Sequence, residues 1–236
     1  MIQLVVLVTI DNEILAYRYA SNDIDELLEQ EKRVDEKVKN IPLSFSSHTL
    51  STSGPSIQSL QEEDPYFDGI IDYTNFEEFL KVVEKKSMIS DEEVAGYLKS
   101  HFNLHAYPLQ KVLYYSFADY LVKYGKQPFS ATFEAFDHGP VDRQVWLEGR
   151  DMPVKLESKA SDFIQKSSFR PEIKNDIDSA VKKYADYFDK NNSFENSSKN
   201  PTHNIGTPWE RAYRLGRNTI ISTENIKKYH YLEEVK

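Results

Sequence analysis

One stretch limits the possible folds more than any other. Leu109, Val112, Leu113, Phe117, Tyr120, Leu121 and Tyr124 recur at i, i+3 and i+4 intervals, with Pro108 ahead of them and Gly125 behind. That spacing predicts a helix with a wide apolar face. Proline suits its first helical position, and glycine suits the left-handed residue that stops it. Such a helix is stable only if other apolar faces cover it, and the chain supplies several. Val94, Tyr97, Leu98 and Phe102 share a face behind a capping box at Ser90–Glu93, where Ile89 can staple against Val94. Ile173, Ile177, Val181, Tyr184 and Phe188 form a second stripe. Thr207-Pro208-Trp209-Glu210 reads as another capped start with Gly216 as its stop, and Ser222 can cap a last helix carrying Ile226 and Tyr229. Between these lie a short strand, Phe133–Phe136, a turn at Asp137-His138-Gly139-Pro140 and a helix around Asp142–Glu148 that contains Trp146.

The first third reads differently. Ile2–Ile10 and Ile14–Tyr19 are β-branched and aromatic runs on either side of Asp11-Asn12-Glu13, which predicts a hairpin. The opening segment lacks the basic start and small-residue cleavage site of a signal peptide. Asp23–Lys39 is an amphipathic helix closed by Pro42. Leu43–Pro65 is so rich in Ser, Thr, Gln and Glu that it reads as a flexible linker. A short strand over Phe67–Asp72 and a helix capped at Thr74–Glu77 follow, the latter with Phe76, Phe79, Leu80 and Val83 on one face. The expected class is therefore α+β. A small acidic α/β unit, residues 1–85 with a flexible 43–65 segment, precedes a mainly helical domain with a short β element over residues 88–236.

Charge separates the same two parts. Residues 1–85 hold 17 acidic and 7 basic side chains, whereas the remainder holds 21 and 22, within a net charge of −9. An acidic first third does not favour general nucleic-acid binding, which depends on Lys and Arg neutralising phosphates. It fits a basic protein partner, or simply solubility. The absence of cysteine removes disulfides and thiolate metal sites and fits a reducing cytoplasm. No stretch approaches the roughly 18 apolar residues of a membrane span.

No catalytic motif is present: there is no phosphate loop, nucleophile elbow or H-E-x-x-H zinc helix. His101 and His105 stand four apart, but the helix is expected to end near Asn103, so no metal site is assigned. Asp137-His138 invites an acid–base reading, with His203 as a further member. Gly139-Pro140 favours a structural turn instead, and neither a catalytic residue nor a cofactor is expected. Gln110 and Lys111 lie off the apolar stripe, either solvated or reaching the Phe133–Val141 turn to satisfy its backbone groups.

Three blocks in this order resemble a known family. Leu109-Gln110-Lys111-Val112-Leu113-Tyr114-Tyr115 is similar to the "LQKLLYY" opening of the Panacea, or SocA-like antitoxin, domain, also called phage-associated GepA-like. Phe133-Glu134-Ala135-Phe136-Asp137-His138-Gly139-Pro140-Val141 is similar to its "FEAWxxGPV" segment. Thr202-His203 with Thr207-Pro208-Trp209-Glu210-Arg211-Ala212 resembles its "LTH…PWxxA" tail, before a terminal helix built on Ile220, Ile226 and Tyr229. Phe136 stands where the pattern often has Trp, and Asn204-Ile205-Gly206 lengthens the His-to-Pro spacing.

The resemblance spans about residues 88–236. It implies an antitoxin of a toxin–antitoxin pair, often carried on mobile elements, that neutralises a protein toxin by direct binding in the cytoplasm. On this reading Leu109, Gln110, Lys111, Leu113, Tyr114, Glu134, His138, Gly139, Pro140, Pro208 and Trp209 form the structural motif. Tyr114, Tyr115, Trp146 and Tyr213 are the candidate partner-binding side chains. Arg211, Arg214, Arg217, Lys227 and Lys228 form a basic concentration that makes operator DNA a second candidate partner.

Overall fold

The structure is a computed structural model that describes residues 1–10, 13–39, 41, 43–191 and 199–235. Asp11 and Asn12 of the expected turn, and Pro42, lie outside the described residues. The chain divides into two compact units, Met1–Met88 and Ile89–Lys236.

In the first unit, strands β1 (Ile2–Ile10) and β2 (Glu13–Ser21) pair antiparallel in continuous register from Ile2↔Ser21 to Ile10↔Glu13. Helix α1 (Ile24–Val38) starts at Asp23, whose side chain accepts from the Asp25 amide. Strand β3 (Phe45–Ser51) then pairs antiparallel with the other side of β1. Helix α2 (Ile57–Glu63) and a 3-10 turn at Pro65–Phe67 lead to β4 (Ile71–Tyr73), which runs parallel to β2. Helix α3 (Phe76–Ser87) closes the unit, and the sheet order is β3-β1-β2-β4.

Within β1, Leu4–Val8 is an unbroken apolar run because both faces of the strand are covered there. Leu4, Val6, Val8 and Tyr17 meet the buried faces of α1 and α3, while Val5, Leu7 and Ala16 meet Leu60 and Phe67.

Two sequence expectations are corrected here. The 43–65 segment, expected to be a flexible linker, holds β3 and α2. A buried polar knot ties it down: the Gln3 amide donates to Thr52 Oγ1 (3.0 Å) and the Gly54 carbonyl (2.8 Å). Arg18 donates to the Pro55 carbonyl and Gln3 Oε1, both at 2.7 Å, and forks onto Asp72. The strand expected over Phe67–Asp72 is displaced to Ile71–Tyr73, because Asp64 caps the 3-10 turn at Pro65–Phe67 first. Helix α3 is capped by Asn75, one position later than expected.

The second unit is built around α5. Helix α4 (Asp91–Phe102) opens with the Ser90/Glu93 capping box and ends at the left-handed Asn103. Helix α5 (Ala106–Tyr124) starts two residues before Pro108, which occupies the first turn, where no amide is needed for the ladder, and stops at Gly125. Strands β5 (Phe133–Phe136) and β6 (Gly139–Asp142) form a tight hairpin, and residues 218–221 bond along the free side of β5. Helices α6 (Arg143–Asp151), α7 (Pro153–Ser158), α8 (Ala160–Ser167) and α9 (Pro171–Lys190) follow, then α10 (Pro208–Tyr213) and α11 (Thr223–Tyr229). Ring contacts Tyr107–Phe188 and Tyr115–Tyr184, with the ion pair Lys123–Asp176, show α9 running antiparallel along α5. Helix α5 is buried almost all round, from Pro108 through Ala118, so its solvated face is missing.

Candidate functional site

The three signature blocks converge on the β5–β6 turn. From α5, Gln110 accepts from the Asp142 amide at 2.8 Å and donates to its carbonyl at 3.3 Å, so one side-chain amide closes both backbone groups of that residue. Lys111, one residue on, is buried and donates Nζ to the His138 carbonyl at 2.5 Å; Asn200 donates to the same oxygen at 3.1 Å. From α10, Trp209 Nε1 donates to the Phe136 carbonyl at 2.8 Å. Its ring is sandwiched between His203, 3.9 Å away, and Tyr213, 4.7 Å away. Tyr213 donates to Asp137 at 2.8 Å, and Arg217 forms an ion pair with the same carboxylate.

Gly139 is dictated by this packing. Its φ is +115°, and a Cβ there would fall 1.8 Å from Lys111 Nζ and 2.9 Å from Thr202 Oγ1. Lys111 and Gln110 therefore take the turn-reaching alternative and are not solvated.

A second polar cluster adjoins Lys111 one turn further along α5. Tyr114 OH donates to Glu233 Oε2 at 2.8 Å, and Tyr115 OH donates to the Glu233 carbonyl at 2.7 Å. His230 bridges Glu233 (2.8 Å) and Asp119 (2.9 Å), and Tyr184 OH donates to Asp119 at 2.8 Å. Burial alone would lower the His230 pKa, but the hydrogen bonds and charges of the two carboxylates reverse this and push it up to about 9. Burial raises Glu233 despite the nearby His230, and it drives Tyr114 and Tyr115 well above the usual phenol range. Burial lowers Lys111 to about 7, opposed by the Glu233 charge. His203 falls to about 4 through burial and then the charges of Lys111 and His138.

A third buried group joins the hairpin to α4. Asp142 caps α6 through the Val145 amide at 3.1 Å, and the Asp91 carboxyl hydrogen-bonds to it. Burial, followed by this carboxylate neighbour, raises Asp91 to about 8, so the pair shares a proton at neutral pH.

The proposed partner-binding tyrosines are thus corrected in part. Tyr114 and Tyr115 are fully buried and bonded internally, so neither is presented to a partner. Trp146 is 37% exposed, with Arg150 over its ring and Phe136 beside it, and Tyr213 is half-buried. Leu109 and Leu113 are core residues, Pro140 and Pro208 are buried, and Glu134 holds Arg143 in a bidentate pair.

The basic concentration is engaged within the fold. Arg211 bonds the Gly206 carbonyl and covers Tyr229, Arg214 pairs with Glu210, and Lys227 bonds the Gly125 carbonyl. His101 and His105 fall on either side of the α4 stop and share no helix. No cluster of three metal-ligating side chains occurs among the described residues.

Asp91, Asp119, Asn200, His230 and Glu233 were not found from the sequence. They carry no local spacing signal, and Tyr114 meets Glu233 across 119 positions.

This arrangement can be set against known proteins. The family model described as Antitoxin SocA-like, Panacea domain, matches residues 109–227. The chain belongs to this family. The match begins on the α5 signature and runs through the hairpin, the His203–Trp209 stack and most of α11, so it includes Gln110, Lys111, Gly139 and Trp209, which meet at the β5–β6 hairpin. No curated protein and no solved structure gives a significant match. No helix among the described residues is long and apolar enough to cross a membrane.

Proposed function

We propose that this Panacea protein is a cytoplasmic antitoxin that neutralises a protein toxin by binding and covering it, without catalysing a reaction. The observation that carries this reading is the use to which the signature residues are put. Gln110, Lys111 and Trp209, joined by Asn200 from outside the signature, hold one hairpin through backbone carbonyls and an amide, which is scaffold work. Asp137, the carboxylate expected to orient His138 in an enzyme, is held instead by Tyr213 and Arg217. Occlusion calls for a specific interface of roughly 1,600 Å². A half-exposed Trp146 and the acidic first unit are the surfaces that fit it. The operator-DNA reading is less favoured, because Arg211, Arg214, Arg217 and Lys227 already have partners within the fold.

The test is co-expression with the adjacent reading frame. A product toxic alone, harmless beside this chain and co-purifying with it supports the reading. Neutralisation without a complex defeats direct binding. Loss of neutralisation in a folded His138→Ala protein would favour chemistry over occlusion.

A further inference from the structure

Strand β3 forms one edge of the first unit's sheet, and it lacks every device by which edges are normally protected. Phe45-Ser46-Ser47-His48-Thr49-Leu50-Ser51 contains no Lys, Arg, Asp, Glu, Pro or Gly. Its register with β1 runs from Ile2↔Ser51 to Val8↔Phe45 without a bulge. None of its seven residues is buried. The other edge, β4, is three residues long and carries the Arg18–Asp72 pair.

The outward-facing groups can be named. Met1 and Thr52 exchange both backbone bonds, Thr52 N to Met1 O at 2.8 Å and Met1 N to Thr52 O at 3.0 Å. Bonded and non-bonded pairs alternate along an antiparallel ladder. Leu50, His48 and Ser46 therefore turn their amides toward β1, and Ser51, Thr49, Ser47 and Phe45 turn theirs outward. Among the described residues, no other segment bonds those four.

Acidic groups flank the strip on both faces of the sheet. Glu31 of α1 accepts from Ser47 Oγ at 3.2 Å. On the opposite face, Tyr66 and Phe67 lie against His48 in a turn capped by Asp64, directly after Glu62 and Glu63.

We infer that the outer edge of β3 takes an extended, positively charged segment of a protein partner as a fifth strand. The inference rests on the reading that the chain acts by covering another protein. Backbone pairing supplies the affinity, and the carboxylates on both sides select Lys and Arg. A second copy is the poorer occupant, since it would bring two strongly acidic units together and set His48 against its own image.

The probe is a fluorescent peptide, acetyl-Lys-Val-Lys-Val-Thr-Val-Lys-amide, compared with its Glu-for-Lys counterpart on the full chain. The basic peptide is expected to bind more weakly as salt rises. It is also expected to slow amide exchange at Phe45, Ser47, Thr49 and Ser51 while leaving Ser46, His48 and Leu50 unchanged. Thr49→Pro removes an outward amide that the ladder does not use and weakens binding about tenfold, whereas Thr49→Ala leaves it unchanged. Should the proline variant unfold, the Ser47→Lys/Thr49→Lys double variant keeps the ladder and is expected to lose the basic peptide.

Equal binding of the acidic peptide, or protection of other amides, overturns the inference. Concentration-dependent protection without peptide assigns the edge to a second copy and overturns the partner. The two readings fail separately. If Thr49→Pro neutralises the neighbouring toxin as well as the unaltered chain, the docking strip fails and the antitoxin reading stands. If the unaltered chain neutralises nothing, the antitoxin reading fails whatever the peptide does.

Discussion

Both units bury charged side chains, but they balance them differently. In the first, Arg18 spends its guanidinium on one carboxylate, one amide oxygen and one carbonyl, and the Gln3 amide is likewise taken up by Thr52, Ser59 and loop carbonyls. The knot is closed: each of these donors has a partner within the unit. In the second, burial moves Lys111 down and Glu233 up, each opposed by the charge of the other. His230 and Asp91 rise, for different reasons. Closed pairing fixes a segment rigidly, whereas incompletely balanced burial makes a fold answer to proton concentration.

The contrast can be broken most severely at Gly139. Gly139→Ala drives a methyl group into Lys111 under a left-handed φ, and a loss of about 4 kcal/mol in the second unit is expected. Thermal unfolding combined with hydrogen exchange should show the first unit untouched; a common drop would mean that the units unfold together. Asp72→Ala leaves Arg18 buried without its carboxylate and is expected to cost the first unit about 3 kcal/mol, read by chemical denaturation.

Asp91→Asn sharpens the pH difference. A carboxyl raised to about 8 stabilises the fold fully below its unfolded value, and that contribution is lost as pH climbs toward 8. The variant's advantage over the unaltered chain should therefore grow between pH 4 and 8, by at most about 1.4 kcal/mol per unit. A flat difference in chemical denaturation would show that the pair does not share a proton. The smallest effect is spectroscopic. The His230 imidazole should titrate near 9 and that of His203 near 4. Coincident NMR titrations would remove the electrostatic distinction between the two clusters.

The sequence made the helical frame legible because periodicity reports burial on one face. The α4 and α9 stripes, the Gly125 stop and the Ser90 capping box appear as read. It misled where burial is total or absent. Helix α5 is covered all round, so Tyr114 and Tyr115 looked available to a partner when they are interior. Strand β3 is only partly covered, so neither alternation nor an apolar run marked it; its order comes from the ladder with β1, and that of the residues after it from Gln3 and Arg18, more than thirty residues earlier. The turn-holding role of Gln110 was within reach, because an amide beside a glycine turn has an evident use. The His230–Glu233–Asp119 link was not, since no local pattern joins residues so far apart.

That distance has a consequence during synthesis. The α5 hydroxyls of Tyr114 and Tyr115 are made long before the carboxylate and carbonyl of Glu233, their partners 119 and 118 positions downstream. At ribosomal speeds of about 5–20 residues per second, the nascent helix waits on the order of ten seconds for them. Until then the domain exists in a half-closed form whose interior is open to chaperones, proteases and early encounters.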